Sequence, residues 1–120
     1  MKKIIVADDD ILIRAIIENF LSGLYHLELF EDGLDVVKWM SIGADVDLFI
    51  IDLGMPHLDG RELARKIRKG PNYEKVPVII MSAADSPEKE AGLDDLDNIY
   101  YLPKPIQPRV LKDKIKRLLS

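Results

Sequence analysis

Cysteine is absent from the 120 residues, which removes disulfide frameworks and thiolate metal sites and leaves the redox compartment open. Any long apolar run is missing as well. Met1-Lys2-Lys3 leads straight into Ile4-Ile5-Val6 and then acids, too short for a signal peptide or membrane span, so a cytoplasmic location is expected. Nor is there an excess of positive charge. With 17 basic against 21 acidic residues, the formal net charge is −4. That argues against direct nucleic-acid binding as the main function, although an acidic domain can still carry a local basic face. No linker, repeat or low-complexity tract interrupts the chain. Its length and 48% hydrophobic content fit one compact domain over residues 1–120.

What is present is an alternation of strand and helix patterns. Ile4-Ile5-Val6-Ala7 is a β-branched apolar run that stops at acids, and Leu12 to Leu21 follows at helical spacing, with Gly23 as its stop. His26 to Phe30 alternates and ends at Glu31-Asp32-Gly33, a turn leading to a helix through Val36, Val37 and Met40. Asp47 to Asp52 is the clearest strand, its apolar run suited to the centre of a parallel sheet. The next helix starts near Leu58-Asp59-Gly60 and gathers Arg65, Lys66, Arg68 and Lys69 toward its C-terminal end, where the helix dipole favours cations. Val76 to Met81 predicts a fourth strand with Pro77 at its start, since proline cannot donate to the ladder. Asp85-Ser86-Pro87-Glu88 predicts a short helix with an aspartate cap, cut off by Gly92. Ile99 to Leu102 is a fifth strand, and Pro108 opens a last helix with one apolar face.

Such an order predicts an α/β sandwich, a mostly parallel sheet covered on both faces, with its functional edge at the carboxyl ends of the strands. Asp8, Asp9, Asp52, Ser82 and Lys104 all fall there. Capping of the following helix explains one of Asp8, Asp9 and Asp10, not three. Carboxylates converging from two strands repel one another unless a cation neutralises them or one takes up a proton. Hard oxygen ligands without nearby histidine or cysteine suit Mg²⁺. Asp52, at the end of a buried strand, is placed to attack phosphorus and form an acyl phosphate rather than merely to start a turn. Lys104 would balance the charge on a phosphoryl oxygen. Taken alone, Lys104 could be an exposed loop lysine and Ser82 a serine bonding local backbone. Their convergence with the aspartates carries the inference.

Val6-Ala7-Asp8-Asp9-Asp10 with Arg14, then Asp52-Leu53-Gly54-Met55-Pro56-His57-Leu58-Asp59-Gly60, Ser82-Ala83 and Tyr101-Leu102-Pro103-Lys104-Pro105, together resemble the receiver domains of two-component response regulators along the whole chain. The resemblance implies a five-stranded parallel sheet of order 2-1-3-4-5 with five helices, doubly wound and flavodoxin-like. It also implies Mg²⁺ held by Asp9, Asp52 and the Gly54 backbone carbonyl, with Asp8 acting through a coordinated water. Asp52 is implied as the phosphoacceptor, taking its phosphoryl group from a sensor histidine kinase or phosphotransfer protein. Ser82 would be drawn to a phosphoryl oxygen and Tyr101 would rotate behind it, changing the surface of helix four, strand five and helix five. That surface would report to a downstream protein target, or to an effector domain beyond these residues. The domain is expected to act on itself only, not as an enzyme with an outside substrate.

Two other readings use the same residues. A Mg²⁺-dependent phosphatase with an aspartate nucleophile would need an Asp-x-Asp segment after the first strand and an acidic pair after the lysine; Asp8-Asp9-Asp10-Ile11-Leu12 lacks the first, and only Asp113 follows Lys104. A pseudo-receiver acting as a fixed interaction module would lack part of the set, and nothing is missing. Two departures from the family stand out. Gly54 and Ala84 occupy positions that influence the lifetime of the phosphorylated state, and neither offers a polar group. Leu96-Asp97-Asn98-Ile99 replaces the usual Gly-Ala before the fifth strand. Arg109, Lys112, Lys114, Lys116 and Arg117 make the last helix basic, an ordinary solvated face or a contact for an acidic partner.

Overall fold

The computed structural model describes all 120 residues. Strands β1 (Lys3–Ala7), β2 (His26–Phe30), β3 (Leu48–Asp52), β4 (Val78–Ser82) and β5 (Ile99–Pro103) alternate with helices α1 (Ile11–Leu21), α2 (Gly33–Met40), α3 (Gly60–Lys69), α4 (Pro87–Ala91) and α5 (Pro108–Leu119). The strands form one parallel sheet in the order β2-β1-β3-β4-β5. Strands β3 and β4 are buried at every residue, which is why their sequences read as unbroken apolar runs rather than alternating ones.

Side chains alternate across the sheet with the period of two that strands impose. Ile5, Ala7, Phe49, Ile51, Val78 and Ile80 point to one face, where they meet Val36, Leu63, Ala64, Ile67 and Ala91 from α2, α3 and α4. Ile4, Val6, Leu48, Ile50, Ile79 and Met81 point to the other, against Ile17 and Leu21 of α1 and Leu111 and Ile115 of α5. A one-residue slip of register would turn every one of these to the wrong helix layer.

Several local expectations are corrected. Asp47 lies outside β3; its Oδ2 instead accepts a hydrogen bond from the Lys3 amide at 2.7 Å. Likewise β4 begins at Val78, and Pro77 precedes it, its carbonyl accepting from the Phe49 amide. Helix α4 is short, as predicted, but Ser86 stands at its N-cap, not Asp85, and no side chain caps it. Pro87 starts this helix because a missing N–H costs nothing in the first turn. Gly92 ends it in the left-handed region at φ +61°, where glycine carries no Cβ penalty.

Candidate functional site

Four strand ends deliver the expected residues to one edge of the sheet. Asp8 follows β1 and is fully buried, Asp52 closes β3 and is buried, Ser82 closes β4 and is buried, and Lys104 follows β5 half-buried. Asp9 is exposed beside them. Carboxylate oxygens of Asp8, Asp9 and Asp52 lie within 4.8 Å of one another. Lys104 Nζ lies 3.0 Å from Asp52 Oδ1 and 3.3 Å from Asp8 Oδ2, a bridge between the two buried acids.

Local structure holds this geometry in place. The Asp10 amide donates to Asp8 Oδ1 at 2.8 Å, and Asp10 in turn caps α1 by accepting from the Leu12 amide. Capping therefore accounts for one aspartate of the three, as expected. Arg14, which the motif contained without a role, donates through Nη1 to the Asp8 backbone carbonyl at 2.6 Å and so braces the turn that presents Asp8 and Asp9. The Lys104 amide donates to the Ser82 carbonyl at 2.7 Å, tying the lysine loop to the end of β4. Behind Asp52, the capping box of Asp59 and Glu62 starts α3, and the Gly60 amide donates to the Leu53 carbonyl at 2.9 Å. A side chain at Gly60 would collide with the Asp52 carbonyl oxygen, so this close approach requires glycine. Gly54 is exposed with open space where a Cβ would stand, so only its backbone is available to a ligand.

Burial pushes the Asp8 carboxyl above its ordinary value; the Asp10 amide opposes the shift and the Asp52 charge reinforces it. For Lys104, burial works against the charged form, but the hydrogen bond and charge of Asp52, joined by Asp8, outweigh it and raise the pKa. One buried atom stays short of partners: Asp8 Oδ2 accepts no hydrogen bond and has only the Lys104 ammonium at ion-pair distance. A buried carboxylate oxygen left unsatisfied beside two further carboxylates is the donor set a hard, hydrated dication fits.

Ser82 Oγ accepts from the Ala84 amide at 3.1 Å, and Tyr101 is half-buried against the apolar cluster that includes Ala91 and Leu93. An open groove of about 460 Å³ runs beside the site, lined by Gly54, Asp59, Arg61, Ser82, Ala84 and Glu90. Two features were not foreseen. His57 adopts φ +65° and its Nδ1 donates to Asp32 Oδ2 at 2.6 Å, linking the loop after β3 to the N-cap of α2. Arginines of α3 reach across to the end of α4 and the segment after it rather than simply complementing their own helix dipole. Neither leaves a signal in sequence spacing, because both partners lie about 25 to 30 residues away.

Sheet order and an acidic, lysine-bridged pocket at the carboxyl edge together define a doubly wound α/β protein built for phosphoryl chemistry. The chain belongs to the response regulator receiver domain family, whose model matches residues 4–116. It is 32% identical to the chemotaxis protein CheY homolog of Campylobacter jejuni, covering 98% of this chain and 92% of that protein. It is 35% identical to the cyclic di-GMP phosphodiesterase response regulator RpfG of Xanthomonas campestris, but spans only 32% of that protein's length. Among solved structures, the chemotaxis protein CheY4 of Vibrio cholerae aligns with a TM-score of 0.89 at 28% identity, covering 99% of both chains. The receiver domain of the sensor histidine kinase PA1611 from Pseudomonas aeruginosa, which has a magnesium ion coordinated in its active-site cleft, aligns with a TM-score of 0.86 at 29% identity over 98% of this chain and 97% of that one.

Receiver domains are phosphoacceptor modules of two-component signalling, not classical enzymes. They bind Mg²⁺ at an acidic pocket and interact with histidine kinases or phosphotransfer proteins; relatives include both effector-linked and single-domain forms. No helix of this chain is long and apolar enough to cross a membrane.

Proposed function

We propose that residues 1–120 form one cytoplasmic receiver domain in which Asp52 accepts the phosphoryl group and Lys104, Ser82, Asp8 and Asp9 assist. The observation that carries this reading is the placement of Lys104 Nζ between the buried Asp52 and Asp8. An Asp52 carboxylate oxygen attacks the phosphorus of a phosphohistidine, the P–N bond breaks, and its electron pair leaves on the imidazole nitrogen. Lys104 supplies a fixed positive charge where a phosphoryl oxygen gains negative charge, and needs no reorganisation to do so. Ser82, released from the Ala84 amide, would donate its hydroxyl to the same group. Tyr101 would then change rotamer and alter the surface of α4, β5 and α5.

Asp9, Asp52 and the Gly54 carbonyl would hold Mg²⁺, with Asp8 acting through a coordinated water. The bound ion would neutralise the acidic cluster and polarise the phosphoryl oxygens. The unsatisfied Asp8 Oδ2 supports that assignment. Gly54 and Ala84 offer no polar side chain toward the groove, so the domain would give hydrolysis of its acyl phosphate little help.

Incubation with acetyl phosphate and Mg²⁺ tests the reading by intact-mass measurement. The wild type should gain one phosphoryl group and Asp52→Asn none. A wild-type chain without the adduct would make this a phosphorylation-independent interaction module. Sustained turnover of unrelated phosphoesters would make it a phosphatase.

A further inference from the structure

Helix α4 has a single turn, no side-chain cap, and one buried residue, Ala91. Only Leu93 and the partly buried Leu96 add apolar anchorage in the segment that leads to β5. Nearly every carbonyl of so short a helix is terminal and lacks an intrahelical donor. At the C-terminal end of α4 and beyond it, donors come from α3. Arg61 gives Nε to the Ala91 carbonyl at 2.7 Å and Nη2 to the Glu90 carbonyl at 2.6 Å. Arg65 donates to the Gly92 carbonyl at 3.2 Å and makes a two-pronged pair with Asp95 at 2.8 and 3.0 Å. Arg68 donates to the carbonyls of Asp97 and Asn98, each at 2.9 Å.

The three arginines sit at i, i+4 and i+7, so they share one helix face beside the core stripe of Leu63, Ala64 and Ile67. All three are half-buried, while Glu62, Lys66 and Lys69 on the same helix are exposed. The guanidinium fork suits this task, since one side chain satisfies two neighbouring carbonyls in a fixed plane and a lysine cannot. The first rung also lies next to the acidic site. Gly60, immediately before Arg61, is packed on the Asp52 carbonyl, and Arg61 is the one cation lining the groove shared by Gly54, Ser82 and Ala84.

We infer that Arg61, Arg65 and Arg68 form a strap that positions residues 90–98, and that Arg61 is the positioning residue through which the acidic site acts on that segment. The strap itself stands on the hydrogen bonds above; its link to signalling rests on Asp52 being the phosphoacceptor. Beside the packing of Ala91 and Leu93 and the bonds of Asn98 to Lys75 and Val78, the segment takes its place from these α3 guanidinium groups. A charge added at Asp52 would pull on Arg61 and be felt at the Glu90 and Ala91 carbonyls it holds.

Amide exchange and backbone NMR shifts on the full chain test this, using wild type, Arg61→Leu, Arg61→Lys and, as a control on the exposed face, Lys66→Leu. Arg61→Leu should speed exchange at Ala91–Leu93 and Leu96 by about tenfold or more, with β1, β3 and β4 unchanged. Arg61→Lys should fall between the two, and Lys66→Leu should match wild type. Adding Mg²⁺ and beryllofluoride should shift the amides of Ser82 and of Glu90–Gly92 in wild type. In Arg61→Leu the Ser82 shift should remain and the Glu90–Gly92 shift should be lost. Unchanged exchange in Arg61→Leu, or faster exchange spread equally over the sheet, would overturn the strap. A Glu90–Gly92 shift that survives in Arg61→Leu would overturn the coupling. If the leucine variant does not fold, Arg61→Lys decides by the same comparisons. A wild-type chain that shows no beryllofluoride response would refute the phosphoacceptor assignment and with it the coupling, while the exchange data would still judge the strap.

Discussion

Lys104 and Asp52 face each other at 3.0 Å across the end of the sheet, one from the loop after β5 and the other from the last residue of β3. Two strands separate by one intervening neighbour, β4, and the pair closes over its end. Because Asp8 shares the same ammonium, Lys104 already compensates two buried carboxylates before any phosphoryl group arrives. Phosphoryl transfer would therefore ask it to exchange one set of oxygens for another, not to become charged.

Lys104→Met should thus slow phosphorylation of Asp52 by acetyl phosphate about a hundredfold, the usual cost of removing one fixed charge or donor from a transition state. Lys104→Arg should recover part of the rate, since it restores charge but presents a planar fork where a compact ammonium fits. Time courses by intact mass at saturating Mg²⁺ would measure both. A methionine variant as fast as wild type would remove Lys104 from the chemistry.

Asp8 carries the strongest conflict between folding and ligand binding. Its fully buried Oδ2 has no hydrogen bond and lies near two other carboxylates. In metal-free buffer, Asp8→Asn should melt at a higher temperature than wild type, because it removes a buried charge. Mg²⁺ should reverse the order, adding about 2.7 kcal/mol to the wild type at a hundredfold excess over its Kd and clearly less to the variant. Thermal melts with and without the ion decide, and equal Mg²⁺ stabilisation of both proteins would argue against Asp8 as a ligand-side residue.

Most of this was legible in the sequence for a physical reason. The site lies at strand ends, strands announce themselves by β-branched runs, and topology brings consecutive strand ends to one edge. The convergence of Asp8, Asp52, Ser82 and Lys104 follows from that, whereas the order of the sheet was expected only from the resemblance to receiver domains. What spacing could not reveal was tertiary. Arg65 and Arg68 look well placed for their own helix dipole, and nothing local shows that their guanidinium groups serve carbonyls some 30 residues on. His57 was unreadable for a different reason. It occupies a left-handed backbone position that glycine or asparagine would ordinarily announce.

The Asp32–His57 contact predicts a defined pH response. The Leu34 amide first, and the His57 hydrogen bond second, hold the Asp32 carboxyl below its usual value of 3.8. A depressed carboxyl favours the folded state above the unfolded pKa, and that contribution disappears as pH falls through the folded pKa. The stability gap between wild type and Asp32→Ala should therefore be constant from neutral pH to about 5 and close below about 4. Denaturant titrations at stepped pH would show it. A gap that persists undiminished to about pH 2 would mean that the ionised carboxylate is not what holds this junction.

Two glycines bracket the loop after Asp52 and should respond oppositely to the same change. A Cβ at Gly60 would be driven into the Asp52 carbonyl oxygen and stand 2.8 Å from the Leu53 Cα, both of them backbone and unable to swing away. Gly60→Ala must therefore push the start of α3 off the end of β3, at a cost of about 1–3 kcal/mol. The displacement would also move Asp52 relative to Lys104, so phosphorylation should slow along with the loss of stability. At Gly54 a Cβ meets nothing within 4 Å, and alanine leaves the backbone carbonyl in place. Gly54→Ala should change stability by no more than about 0.5 kcal/mol and leave Mg²⁺ affinity as it was. Urea titrations and Mg²⁺ titrations on the pair separate a glycine needed for close packing from one needed only for its carbonyl. A Gly54→Ala variant that folds normally yet loses Mg²⁺ would show that its conformation, not the carbonyl alone, shapes the site.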